Sequence, residues 1–253
     1  MCCFSRPVQS VSATQIFARS GTDGRQFLVY SMTLRAKEEL AMVLPLPVKP
    51  GSGEKAVRFI DLKDYPDFFT DLRKGFPEPL AQPTPGRTRS LGAAPEAKLE
   101  VVTVGNFEAS FVPIVSDFSR LDERFRLPPG TWEKLPAYRD HGFAVFKLKS
   151  GEAKVHPMAF SFPRANPAEL FFPTVHIHDG KVHERAKFDH VLYCQRGGTD
   201  QFTLLDWEES FRPAGFFMQL NKAKEILDGG GHCYKRVLTG TLPNKDIVLK
   251  SEA

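Results

Sequence analysis

The sequence predicts an α+β protein built mainly on antiparallel β-sheet, with a few short helices and one longer C-terminal helix. The chain uses 22 Phe, 20 Pro and 19 Gly among its 253 residues, a composition that favours strands and turns over long helices. Short β-prone runs follow one another without alternating with helices, which is typical of antiparallel sheet. The clearest helical spacing is in residues 214–228, which end at Gly229-Gly230-Gly231 and whose apolar face consists of Phe216, Phe217, Leu220, Ala223 and Leu227.

Strand patterns cover most of the first sixty residues. Thr22-Asp23-Gly24 separates the first two of these patterns and predicts a hairpin turn between them. Pro45 and Pro47 cannot donate hydrogen bonds to a ladder, so we expect the third strand to lie at an edge or to leave its sheet. The predicted strands are 12–19, 26–35, 40–48 and 56–62.

A helix and a long loop follow these strands. Asp64 can cap a helix over residues 64–74, and Gly75 and Pro77 end it. Residues 77–97 are rich in Pro, Gly, Ala, Ser and Thr and have few large apolar residues, which predicts a mobile loop or linker. We expect this loop to be an excursion from one α+β domain that covers residues 1–253.

The second half of the chain repeats short strands and turns before the C-terminal helix. A strand interrupted at Gly105 precedes two short helices, and Ser150-Gly151 predicts a hairpin between its two flanking strands. The predicted elements are strand 99–113, helices 117–125 and 131–139, strands 142–149, 153–163 and 188–195, helix 214–228, and strands 232–238 and 246–249.

Composition excludes several classes of partner. The net charge is +4, and the basic residues are spread without a dense run, so nucleic-acid binding is not indicated. No apolar run approaches the ~18 residues of a membrane span, and the first residues lack the apolar core of a secretory signal. Four cysteines do not make a disulfide framework. We therefore expect a cytoplasmic protein that acts on a small-molecule substrate, with its oligomeric state left open.

Four of the seven histidines lie in the stretch 170–194. Asp179-Gly180 predicts a tight hairpin turn there, which would place His183 directly across from His176, roughly 5.5 Å away between Cα atoms. Side chains alternate along a strand, so His178 would share the face of His176. Three imidazoles on one face predict three metal ligands with an open fourth position. The alternative is a solvated polar face, and a register slip of one residue would move His183 to the other side.

Cys2 and Cys3 form a second focus. Removal of Met1 would make Cys2 the first residue, and its free α-amine would have a pKa of about 8. Cys2 could then be a nucleophile with its own amine as base, as in N-terminal-nucleophile amidohydrolases. The thiolates of Cys2 and Cys3 could instead join the hairpin histidines around copper or zinc. The remaining alternative is two ordinary buried thiols on a first strand.

These patterns lead to a metal-binding protein, a copper oxidoreductase or a zinc hydrolase, with His176, His178, His183, Cys2 and Cys3 as metal ligands. Glu184 is the candidate general base near a metal-bound water. One alternative is an amidohydrolase with Cys2 as its catalytic nucleophile. Another is a non-catalytic metal carrier or binding module.

His190 and Cys194 lie four residues apart on a predicted strand and so share one face. Either side chain could approach the same site. We expect both to occupy core positions.

Several short segments together resemble a bacterial family of uncharacterised conserved proteins, a domain of unknown function. They are Cys2-Cys3-Phe4, the run 41–48 (AMVLPLPV), 104–110 (VGNFEAS), 138–147 (YRDHGFAVFK) and 155–158 (VHPM), in the same order as in the family. The resemblance implies a shared fold but no activity. Members of the family usually carry a secretion signal and often a C-terminal membrane anchor, and this sequence shows neither. The three hairpin histidines belong to no motif of that family.

Overall fold

A computed structural model describes residues 2–76, 102–104, 107–179, 181–197 and 201–251 of the protein. Within these ranges the protein is essentially all-β, so the α+β prediction is wrong. Their single α-helix, α1, covers Phe68–Lys74, and the other helical pieces are five short 3₁₀ helices. No helix in the described ranges is long and apolar enough to cross a bilayer. The loop predicted over 77–97 lies outside them.

The described strands form two large sheets and one small one. The strands are β1 Cys2–Phe4, β2 Ser10–Ser20, β3 Arg25–Ala36, β4 Leu40–Leu46, β5 Arg58–Ile60, β6 Val102–Val104, β7 Phe107–Val112, β8 Gly142–Leu148, β9 Gly151–Lys154, β10 Met158–Pro163, β11 Glu169–Phe172, β12 His176–Ile177, β13 Arg185–Gln195, β14 Glu208–Glu209, β15 Tyr234–Pro243 and β16 Ile247–Lys250. The six-stranded sheet has the order β12-β1-β4-β8-β7-β6. The eight-stranded sheet has the order β14-β15-β13-β2-β3-β10-β5 with β9 beside β3, and β11 pairs with β16.

The main core lies between the two large sheets. Aliphatic and aromatic side chains fill it, and each large one that is fully buried contributes roughly 1.5–3 kcal/mol through the apolar surface that it removes from water. The six-stranded sheet contributes side chains such as Phe4, Met42 and Phe146, and the eight-stranded sheet contributes Ile16, Tyr30 and Phe160. This is the packing of a β-sandwich.

Both large sheets are also covered on their outer faces. A second core cluster packs α1 and parts of 214–227 against the eight-stranded sheet, and a third packs the 3₁₀ segments of 115–138 against the six-stranded sheet. Every residue of β4 is therefore buried. Strands buried on both faces have continuous apolar sequences instead of alternating ones, which explains the run 40–46.

Pro45 lies inside a sheet, yet its missing N–H is accommodated. β4 pairs along its whole length with β8 on one side, whereas β1 reaches only Met42 and Val43 on the other. Among the described residues, no strand pairs with Pro45 on the side of β1. Pro45 is therefore in an edge-like position on that side, although β4 as a whole is not an edge strand.

Two predicted hairpins do not form. The strand 142–149 belongs to the six-stranded sheet as β8, whereas 151–154 and 158–163 pair with β3 in the eight-stranded sheet. In the histidine stretch, β12 pairs with β1 and β13 pairs with β2 and β15. In both cases the chain crosses between sheets instead, because burial in the sandwich outweighs local pairing.

The helix predicted over 214–228 is also wrong. The structure has only a 3₁₀ turn at Ala214–Phe216, followed by irregular turns in which Lys224 and Glu225 have positive φ angles of 48° and 67°. Tertiary hydrogen bonds replace those of a helix. Gly215 N–H donates to the carbonyl of Gly229, and the Arg19 guanidinium donates to the carbonyls of Glu225 and Ile226.

Candidate functional site

The N-terminal strand β1 lies inside the six-stranded sheet, between β4 and β12. It runs antiparallel to β4 and parallel to β12, with Cys2 in register with His176 and Cys3 with Ile177. The backbone of Cys2 therefore lies beside the histidine stretch, as the hypothesis of a joint cysteine–histidine site required. The side chain of Cys3 is fully buried in the third core cluster, among residues such as Val43 and Ile177.

Ser5 fixes the end of this strand. Its hydroxyl donates to the carbonyl of Arg124 and accepts from the N–H of Ala41, both at 2.9 Å, and its own N–H donates to the carbonyl of Ala41. Val8 N–H then donates to the carbonyl of His178 at 3.2 Å. The N-terminal segment is thus tied on both sides to the elements that carry the candidate site.

Three imidazoles cluster next to β1, and they are those of His176, His178 and His190. The ring centroids of His176 and His178 are 4.8 Å apart and those of His176 and His190 are 4.6 Å apart, with nearly parallel planes. Nε2 of His176 lies 3.0 Å from Nε2 of His190. Phe4 and Phe188 close the cluster against the core, with ring centroids 5.6 Å from His178 and 4.5 Å from His176 respectively.

Burial keeps this histidine cluster neutral. Desolvation, followed by the charge of His190, lowers the pKa of His176 to about 2 and that of His178 to about 4. Desolvation also lowers the pKa of His190, whose side chain is only 1% exposed. All three rings are therefore uncharged at neutral pH.

The tautomers follow from the neighbours of His190. The Asp189 carboxylate lies 3.6 Å from Nδ1 of His190, which is too long for a hydrogen bond but favours a proton on that nitrogen. Nε2 of His190 is then the acceptor for Nε2–H of His176. Burial lowers the pKa values of both histidines, so the two neutral rings are joined by this hydrogen bond within a packed cluster.

Two polar residues of the segment 244–246 hold the histidine strand in place. Asn244 accepts from the N–H of His176 and donates to the carbonyls of His176 and His183. The Asp246 carboxylate accepts from the N–H groups of Thr174 and Val175 and from the hydroxyl of Tyr138. Burial and this carboxylate raise the pKa of the Tyr138 phenol, so it acts as a permanent donor.

The structure brings together only part of the predicted ligand set. His183 is exposed and pairs with Asp179 at 3.0 Å, and Glu184 is also exposed. The rings of His176 and His178 are stacked in nearly parallel planes. Their nitrogen lone pairs lie in those planes and so do not converge on one point, as the ligands of a metal ion must. Within the described ranges no group of three or more His, Cys, Asp or Glu side chains is arranged to hold a metal ion.

The interpretation as a copper or zinc metalloenzyme or an oxidoreductase is therefore wrong for the described part of the chain. Copper or zinc binding by the whole chain stays a prediction. The sequence favoured a core position for His190 over a site position, because His190 shares a strand face with the apolar Phe188 and Leu192. The structure buries His190 and also places it in the histidine cluster.

Comparisons with known proteins find solved structures of similar fold but assign the chain to no family. No family model matches the chain, and no curated protein matches it. A chain from the crystal structure of the caspase-8/P35 complex is similar over 95% of this chain and 96% of its own length, at 12% identity and a TM-score of 0.50. The crystal structure of baculovirus P35 is similar over 96% and 97%, at 13% identity and a TM-score of 0.49.

At 12% identity, the similarity to the chain from the caspase-8/P35 complex shows a shared fold. It also overturns the expectation of a small-molecule substrate, because the P35 in that structure is bound to caspase-8, which is a protein partner. The resemblance to a bacterial family stays untested.

Proposed function

We propose that this chain is a non-catalytic binding module whose partner is a cysteine endopeptidase of the caspase type. The observation that carries the proposal is the end-to-end similarity in fold to P35 from its complex with caspase-8, which spans 95% of this chain. The binding module was one of the alternatives that the sequence left open.

The buried groups support a role without chemistry. The histidine cluster is neutral and packed, Cys194 and Cys233 are buried free thiols, and burial raises the pKa values of both thiols. Groups of this kind are inert towards substrates. Free thiols also fit a reducing compartment, so a cytoplasmic location is part of the proposal.

The test is a titration of the full chain against active caspase-8. Hydrolysis of a fluorogenic peptide reports inhibition, and light scattering after gel filtration reports the stoichiometry of the complex. We expect a stable complex with the caspase and none with papain, a cysteine endopeptidase chosen as the specificity control. Absence of both binding and inhibition for caspase-8 and a second caspase would contradict the proposal.

A second candidate function is that of Cys2 as an N-terminal nucleophile, with its own α-amine as the base. Intact mass must first show that Met1 is removed. Amide hydrolysis by the wild type that disappears in Cys2→Ala would support the nucleophile. Equal hydrolysis in Cys2→Ala would reject it.

A further inference from the structure

The segment 210–219 presents two phenylalanine rings to solvent at the end of the eight-stranded sheet. Phe211 is 77% exposed and Phe216 is 68% exposed. The guanidinium carbon of Arg212 lies 5.9 Å and 5.2 Å from the centroids of these two rings. We call Phe211, Arg212 and Phe216 the aromatic–arginine rim.

This rim borders a pocket of about 480 Å³. Phe217 and Met218 supply apolar walls, and the ring of Phe217 packs so closely on Gly75 that a Cβ there would lie 2.5 Å from it. The pocket is thus lined by apolar and polar side chains together. The remaining lining residues are Asp71, Lys74 and Gln219.

The backbone of the rim is rigidly held. Ser210 N–H donates to the carbonyl of Cys233 at 2.8 Å, and Phe211 N–H donates to the carbonyl of Gly75 at 2.9 Å. Ala214 N–H donates to the carbonyl of Gly231 at 2.9 Å. A preformed surface of this kind does not need to be ordered when a partner binds, which removes part of the entropy cost of association.

The charges of the pocket leave one cation uncompensated. The Asp71 carboxylate accepts from Lys74, Gln219 and Tyr65, and these hydrogen bonds outweigh the effect of burial and lower its pKa. Lys74 is therefore already neutralised by Asp71. Arg212 has no carboxylate within 4.0 Å in the part of the chain that the structure describes.

We propose that the aromatic–arginine rim is a docking surface for a peptide segment of a partner protein that carries an Asp or Glu next to an apolar side chain. The carboxylate would pair with the forked guanidinium of Arg212, and the apolar side chain would enter the pocket against Phe217 and Met218. Aromatic and arginine side chains are the residues that dominate protein interfaces. The two exposed phenylalanine rings extend the contact surface beyond the pocket, which favours a peptide over a small ligand.

This surface does not depend on the caspase-type partner proposed above, so its test uses a different probe. The full chain selects from a displayed library of random 12-residue peptides, and fluorescence polarisation then measures the affinity of the best synthetic peptide. We expect selected peptides to share an acidic residue beside an apolar one. Arg212→Gln and Phe216→Ala should each weaken binding by at least about tenfold.

Two exposed positions elsewhere provide matched controls. Arg139→Gln and Ile114→Ala remove a cation and an apolar side chain of similar exposure, and both should bind the peptide like the wild type. Thermal denaturation verifies that each variant is folded. Peptides without an acidic residue, or equal binding by Arg212→Gln, would overturn the proposal.

Two other occupants would give distinct results, and either would also overturn it. If a second copy of the chain covers the rim, the wild type sediments as a dimer that dissociates in Phe216→Ala. If a membrane covers it, the chain binds vesicles that contain phosphatidylserine and selects no peptide.

Discussion

The histidine cluster and the aromatic–arginine rim contrast in a way that residue type alone does not predict. The first consists of chemically versatile side chains: the structure buries His176 and His190, leaves His178 half-buried, and holds all three in neutral form against the N-terminal strand. The second contains two phenylalanines, a residue type that usually fills cores, yet Phe211 and Phe216 are mostly exposed. Burial and neighbours, and not the amino-acid type, therefore decide which region is reactive or available for binding.

The substitution with the largest expected effect on stability tests whether the histidine cluster has a structural role. His190→Ala removes a ring that is 1% exposed, leaves a cavity and leaves Nε2 of His176 without its partner. We expect the free energy of unfolding to fall by about 2–4 kcal/mol, measured by urea denaturation. His183→Ala is the matched control, and its cost should stay below about 0.5 kcal/mol because the His183–Asp179 pair is exposed. If His183→Ala lost more stability than His190→Ala, the exposed His183–Asp179 pair and not the buried cluster would be the stabilising feature.

The same cluster should make the protein sensitive to acid. The pKa of His178 is about 4 in the folded state and about 6.5 in the unfolded chain, so only the unfolded chain gains this proton as the pH falls from 6.5 to 4. Stability therefore decreases over this window, by about 1.4 kcal/mol per pH unit for each such histidine. Urea midpoints at pH 7, 6 and 5 measure the decrease.

A variant isolates this contribution from the carboxylates that titrate in the same window. His178→Phe keeps an aromatic ring beside Phe4 but removes the titrating group. Its loss of stability between pH 7 and pH 5 should be smaller than that of the wild type by about 2 kcal/mol. Identical pH profiles for the two proteins would show that His178 is not held neutral by the fold.

A third substitution sharpens the contrast by loosening the region behind the rim. Arg19→Ala removes the guanidinium that donates to the carbonyls of Glu225 and Ile226 at 2.6 Å and 2.7 Å. We expect faster amide hydrogen exchange in 219–231 and a loss of about 1–3 kcal/mol in the free energy of unfolding. Exchange in the histidine cluster should stay unchanged, and uniform acceleration over the whole chain would contradict a local role for Arg19.

The strands of this protein were largely predictable from sequence, whereas their partners were not. The patterns over 12–19 and 26–35 correspond to β2 and β3, and the turn at Thr22-Asp23-Gly24 joins them as expected. Local turn chemistry fixes such neighbours. Asp179-Gly180 carried an equally strong turn signal, but the flanking strands enter different sheets because each gains more burial there.

The candidate site was predictable only in part for the same reason. His176 and His178 lie together because they are close in the chain, and His190 joins them through a packing of sheets that no local pattern encodes. The apolar spacing of 214–228 is that of a helix, yet it gives turns because Gly215, Gly229 and Arg19 supply tertiary hydrogen bonds. Apolar periodicity therefore identified buried residues such as Ala223 and Leu227 but also led to the wrong expectation that Phe216 would be buried.

The smallest expected effect concerns stability at the rim, where two adjacent phenylalanines differ. Phe216→Ala removes a ring that is 68% exposed, so its free energy of unfolding should change by no more than about 0.5 kcal/mol. Phe217→Ala is the matched control, since its ring covers Gly75 and lines the pocket, and it should cost about 1–3 kcal/mol. Thermal and urea denaturation of the two variants measure the difference. A cost for Phe216→Ala as large as that for Phe217→Ala would mean that the rim is part of the core, and the surface would then have no exposed aromatic side chain to offer a partner.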